Sequence, residues 1–246
     1  MTLRAIIAGA WLTASGGVLL ADPIPVTAHI SGFPFQVSVS GVGTGGRFAG
    51  TLAGNIADFW CVDSQNFING IPTTFTAFVT PLTNVGWDPG HTRYGTVPNA
   101  QRNWAYADLT DDALFRFRIA ATLSLEYRAQ NSTTADKEHN RRVQRAIWRA
   151  TDTNPPSGPN YAAEDPAVVA LYQSAADYVT ANENNDGVWS QFRIVSGWYS
   201  GGLRDVDSSG YDQVQTYLTA VPEPGSVALL GIAAAGVLWA RRRRRG

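Results

Sequence analysis

The chain has one cysteine and three histidines in 246 residues, and Lys137 is its only lysine. A single cysteine excludes an internal disulfide, and with it a disulfide-stapled scaffold. Cys61 is therefore a buried inert thiol, a crosslink to a second chain, or a residue that does chemistry. No cluster with zinc-ligand spacing and no glycine-rich phosphate loop is present, so neither a metal nor a cofactor is expected. The whole chain is nearly neutral at −1, but this hides an asymmetry, because Arg241 to Arg245 form one basic block. Residues 22–220 carry 13 Arg and Lys against 19 Asp and Glu, a formal net charge of −6. A mildly acidic surface argues against nucleic acid as a partner.

Long apolar runs occur only at the two ends. Near the start, Arg4 is the one charge before an apolar stretch from Ala5 to Leu20, followed by Ala21-Asp22-Pro23. This pattern reads as a secretory signal peptide, residues 1–21. Cleavage after Ala21 puts Leu19 at the minus-three position; cleavage after Ala28, with Val26 there, is the alternative, and an uncleaved anchor is a third reading. At the other end Pro222-Glu223-Pro224 leads into an apolar run from Gly225 to Ala240, and the arginines follow. At 1.5 Å per residue that run spans about 24 Å, a little short of the roughly 30 Å hydrocarbon core. Trp239 suits the interface, and the arginines hold the cytoplasmic side.

The order of tripeptide, short apolar helix and basic tail resembles the PEP-CTERM sorting signal of Gram-negative bacteria. The resemblance implies residues 221–246 as sorting signal and transmembrane helix. It implies transient anchoring in the inner membrane, cutting near Pro222-Glu223-Pro224 by an exosortase, and a final place at the cell surface or outside the cell. The secretion machinery is then a partner as well. The signal is silent on what residues 22–220 do.

Those roughly 200 residues suffice for one domain with a sizeable core. Residues 26–98 read as β structure, with strands over Arg47–Leu52, Ala57–Val62 and Thr73–Thr80 and a breaker at Gly41 to Gly46. Gly86 to Pro98 reads as a loop. A helix begins near Thr110-Asp111-Asp112. A second runs from about Lys137 to Ala150, with Val143, Ala146, Ile147 and Ala150 at helical spacing. A third opens with Asp165 as N-cap and Pro166 at the first helical position, and reaches about Ala181. Strands return at Phe192–Val195 and Val214–Leu218. The order predicts an α+β domain: a mainly antiparallel β sheet or sandwich with a helical insert of about three helices.

Two short segments carry the remaining signal: Phe59-Trp60-Cys61-Val62-Asp63 and Val143-Gln144-Arg145-Ala146-Ile147-Trp148. Together they resemble thioester domains of bacterial surface adhesins, and a related Cys-Val-Asp … Gln-x-Ala-Ile-Trp domain of PEP-CTERM proteins. Val143 stands where adhesin domains usually have Thr. The resemblance implies a Cys61–Gln144 crosslink, with Asp63 and Trp148 as its neighbours. Such a bond forms when a thiolate attacks the glutamine amide carbon and ammonia leaves. Phe59, Cys61 and Asp63 share one strand face. Gln144 flanks the apolar stripe of its helix, a position from which it can face inward toward a strand. Without the bond, a helix-flank Gln→Ala exchange costs about 0.5 kcal/mol or less.

Other sites are weaker. Asp205 to Gly210 and Asn182 to Gly187 resemble half a calcium loop, but position twelve is Thr216 or Arg193 rather than acidic. A cysteine hydrolase with His91 or His139 as base is disfavoured, since catalytic cysteines favour a helix N-terminus or an adjacent cation. Two functions remain, neither enzymatic. One is a covalent adhesin that joins Gln144 to a surface amine or to extracellular polysaccharide. The other is a structural or carbohydrate- and matrix-binding module with Cys61 inert.

Overall fold

Alternation of apolar and polar residues marks strands but leaves their closure open, and here the strands close. The computed structural model describes residues 26–39, 43–62, 71–92, 112–128, 133–151, 165–197 and 216–220. Six strands, β1 (Val26–Val39), β2 (Gly43–Leu52), β3 (Asn55–Cys61), β4 (Thr73–Pro81), β5 (Phe192–Gly197) and β6 (Tyr217–Ala220), form a closed barrel in the order β1-β2-β3-β6-β5-β4. Every neighbouring pair is antiparallel. The expected sheet or sandwich is thus a barrel. Its physical origin is β1, which is long enough to pair along β2 and, over Val26 to Ile30, along β4 as well. Register shifts on either side of Gly32 bend it between the two partners, as bulges do at barrel corners.

The β2–β3 hairpin turns through Ala53 and Gly54, with φ of 50° and 81°. Both central residues at positive φ are what a two-residue turn needs to match strand twist. Gly43 to Gly46, expected within a breaker, belong to β2 instead. The last strand is Tyr217–Ala220, displaced toward the C-terminus from the Val214–Leu218 expectation.

The helical insert lies between β4 and β5: α1 (Ala113–Ser124), α2 (Thr134–Thr151), α3 (Pro166–Ala181) and the single turn α4 (Asp186–Trp189). The fourth helix takes up part of the segment from Asn182 to Gly187 that resembled a calcium loop. There Asp186 accepts from the Asn84 backbone N–H at 2.8 Å and lies 3.5 Å from Arg118. Asp112 caps α1 by accepting from the Phe115 N–H, and Asp165 caps α3 by accepting from the Ala167 N–H, with Pro166 behind it as expected. The three longer helices pack on one another, and α2 lies against β1 and β2.

Arg118 ties the insert to the barrel. It is 1 % exposed, and its guanidinium donates to the carbonyls of Leu82 and Glu183 and to Asn84 Oδ1, while lying over the Trp189 ring. Burial lowers its pKa, against the pull of Asp186, Asp112 and Glu183.

The inner face of the barrel follows from the ladder register. Phe48 pairs with Phe59, Phe59 with Thr219, and Cys61 with Tyr217, so these side chains share one face. Phe48, Phe59 and Phe75 surround the Tyr217 ring at 5.5 to 6.0 Å between centroids, and Phe33 stacks on Phe48 at 4.0 Å. Among the described residues no helix is long and apolar enough to cross a membrane. The expected signal helix, the apolar run 225–240 and Pro222-Glu223-Pro224 lie outside the described residues.

Candidate functional site

Cys61 is the last residue of β3, at the end of the barrel where α2 crosses. Three neighbours place it: Tyr217 beside it in the ladder, Val62 bound through its N–H to the Thr216 carbonyl, and Thr151 Oγ1 donating to the Val62 carbonyl at 2.6 Å. Thr151 is the last residue of α2, so that helix end is pinned to the end of β3. Cys61 has no measurable exposure.

Gln144 sits two turns earlier on α2. Its helix has a buried stripe of Asn140, Val143, Gln144, Ile147, Trp148 and Thr151. Gln144 lies inside that stripe rather than on its flank, and is fully buried. Its side-chain amide is held at both ends. Nε2 donates to the Cys61 carbonyl at 2.8 Å, and Oε1 accepts from the Tyr127 hydroxyl at 2.6 Å. The expectation that Gln144→Ala is nearly free is therefore corrected. The exchange removes two buried hydrogen bonds and strands their partners, at about 1–3 kcal/mol for each stranded group.

Tyr127 was not found by sequence reasoning. It follows α1, where the chain leaves the helix by three-residue bonds from Leu125, Glu126 and Tyr127 to Thr122, Leu123 and Ser124. Asn140, 1 % exposed on α2, accepts from the Arg128 N–H at 2.9 Å and donates to the Arg128 carbonyl at 3.4 Å. This clamp fixes the residue next to Tyr127. Burial pushes the Tyr127 pKa well above the usual tyrosine range, and charge on the nearby Cys61 sulfur pushes the same way. At neutral pH the hydroxyl is a donor.

Trp148 lies one turn after Gln144, 3 % exposed, and its indole N–H finds no hydrogen-bond partner among the described residues. Gly45 closes the site from β2. A Cβ there would stand 2.6 Å from Trp148 Cζ2 and 3.0 Å from Gln144 Cδ, so α2 reaches the barrel only because the residue has no side chain. Cys61, Gln144 and Trp148 are thus brought to one barrel end. Asp63 lies outside the described residues.

The arrangement polarises the Gln144 side-chain carbonyl. A donor on Oε1 stands where negative charge develops when a nucleophile adds to the carbonyl carbon. The aromatic barrel interior and the complete burial of both residues keep bulk water from the amide. His139, one of the two candidate bases, bonds the Glu126 carbonyl through Nε2 at 2.9 Å. Among the described residues no group of three or more His, Cys, Asp or Glu is placed to hold a metal. The Asp205 to Gly210 segment lies outside them.

No curated protein and no solved structure matches the chain. A family model described as the PEP-CTERM protein-sorting motif matches residues 220–245, which supports an exported surface protein that is anchored in the membrane and then processed by an exosortase.

Proposed function

We propose that the domain is a covalent adhesin that carries an internal thioester between Cys61 and Gln144. The observation that carries the reading is the Gln144 amide, held between the Cys61 carbonyl and the Tyr127 hydroxyl where neither Cys61 nor Gln144 meets solvent. Cys61 loses its proton and its sulfur adds to Gln144 Cδ. Oε1 takes the negative charge under the Tyr127 hydrogen bond. The Cδ–Nε2 bond then breaks, and ammonia leaves with the proton that the thiol gave up. Tyr127 keeps its own proton throughout.

The product is a stored electrophile. A primary amine on an extracellular surface or polysaccharide attacks Cδ, forms an amide to Gln144, and returns the thiol to Cys61. Each domain reacts once, so the protein is not an enzyme. Export and anchoring place this chemistry outside the cytoplasm, away from most competing amines.

A second reading has its own support. Both ends of the Gln144 amide are hydrogen-bonded, and Val143 replaces the Thr usual in adhesin domains. On that reading the same contacts fasten α2 to β3, Cys61 is inert, and the protein is a structural or matrix-binding module.

Methylamine separates the two. Under the thioester reading, peptide mapping finds methylamide on Gln144 and a newly alkylatable Cys61, and both signals vanish in Cys61→Ala. Native protein that takes up no methylamine while remaining folded supports the structural module instead.

A further inference from the structure

The two ends of the barrel differ in what they carry. Cys61, Tyr217 and Gly45 mark one end. The other is marked by the start of β1 at Val26, the β2–β3 hairpin and the start of β5 at Phe192. β3 runs from one end to the other, about 20 Å at some 3.4 Å per residue. The chain enters the described barrel at Val26, at the end remote from Cys61, and leaves it at Ala220 heading toward that end, opposite Asp58 in the middle of β3.

That remote end carries exposed aliphatic side chains beside a cavity. Ile56 is 90 % exposed at the hairpin, and Val85, in the segment after β4, is 79 % exposed. Between the strands opens a half-enclosed cavity of about 230 Å³, lined by Val26, Leu52, Ile56 and Val79 together with the polar Asn55 and Arg193. An apolar mouth with two protruding aliphatic side chains is a poor surface to leave in water.

The sequence supplies its cover. From Ala220 to Gly225, where the apolar run of the sorting signal begins, covalent geometry allows at most about 18 Å. Residues 220–245 match the sorting motif. While the chain is anchored, this tether is too short for the barrel to float free of the bilayer, and β6 runs into it heading toward the end with the β2–β3 hairpin. We propose that the barrel mouth bearing Ile56, Val85 and Arg193 is a membrane-contact surface that rests on phospholipid in the anchored chain. The aliphatic side chains enter the acyl boundary, as Arg193 meets the phosphates. The opposite end, with Cys61 and Gln144, then points away from the membrane. The proposal stands on the sorting signal, the cavity and the direction of β6, and needs no thioester.

The test uses the full chain reconstituted through its tail into phosphatidylethanolamine–phosphatidylglycerol vesicles, with and without bromine on the acyl chains. An environment-sensitive fluorophore is attached in turn to Ile56→Cys, Val85→Cys and Leu125→Cys; Leu125 is exposed near the Cys61 end. Cys61, being sealed, stays unlabelled. Brominated lipid is expected to quench positions 56 and 85 and to leave 125 unchanged. Equal emission at 56 and 85 in the two kinds of vesicle, or equal quenching at all three positions, overturns the proposal. So does a chain that fails to float with the vesicles. An unlabelled arm guards against disturbance by the label. Hydrogen exchange at Gly54 to Ile56 should be slower on vesicles than after proteolytic release of the tail, with residues 122–127 unaffected. Unchanged exchange at the hairpin also overturns it.

Discussion

Tyr127→Phe removes one hydroxyl and nothing else from the site. Its 2.6 Å hydrogen bond to Gln144 Oε1 has two separable consequences. The first is stability. Oε1 stays buried without its donor, at a cost of about 1–3 kcal/mol. The second is rate. A donor aimed at a developing oxyanion is worth about 100- to 1,000-fold, so formation of the Cys61–Gln144 bond should slow by at least about 100-fold, the lower end of that range.

The two are measured apart. Urea unfolding of Tyr127→Phe in a Cys61→Ala background gives the stability change with no bond possible. Refolding from denaturant, followed by quenching and mass measurement over time, gives the rate of ammonia loss in the single variant. The raised Tyr127 pKa adds a pH test: ionisation of this hydroxyl should leave the wild-type rate intact through the usual tyrosine range near pH 10. A Tyr127→Phe chain that loses stability as expected, yet forms the bond at the wild-type rate, would show that the hydroxyl only positions Gln144 and has no part in the chemistry.

Three further outcomes are expected. Gly45→Ala places a methyl against Trp148 and Gln144, and should cost about 1–3 kcal/mol in urea unfolding while lowering methylamine uptake. Arg118→Met keeps much of the buried aliphatic bulk but strands the carbonyls of Leu82 and Glu183; about 3 kcal/mol is expected, read as a lower thermal midpoint, with methylamine uptake below the midpoint unchanged. Asp165 has its pKa lowered by the Ala167 N–H, and then by Arg142. Its folded value lies below the unfolded one, so its stabilisation is complete above about pH 4 and is lost as the pH falls through the folded value. The stability gap between wild type and Asp165→Asn should therefore close on acidification, and a gap that persists at pH 2 contradicts the cause assigned.

Part of this could be seen in the sequence. The three long helices, and the caps of the first and third, were legible because Asp165 with Pro166, and the acidic cluster at Asp112, act through neighbouring residues; the second begins at Thr134, ahead of the expected Lys137. Strand alternation marked β3 and β4 for the same reason. Closure into a barrel was not legible, since it depends on β1 serving two partners through bulges around Gly32. The glycines from Gly43 to Gly46 look like a breaker by composition, and only the approach of Trp148 and Gln144 explains why Gly45 stands in a strand. Gln144 was found by its motif and misplaced by its polarity; Asn140 and Thr151 at the same helical spacing were the available sign that the buried stripe of α2 is itself polar. Tyr127 left no local mark, because its role arises from contact with a residue on another helix.

The central claim is a covalent bond, and intact mass measures it most directly. Forming the bond expels ammonia, so freshly purified wild-type protein should weigh about 17 Da less than its processed sequence. The deficit should be absent from Cys61→Ala and from Gln144→Ala, and methylamine should abolish it with the gain of an alkylatable thiol. Wild-type protein at its full calculated mass, with Cys61 alkylated as soon as the fold is opened, contradicts the claim and leaves the barrel as an exported structural module.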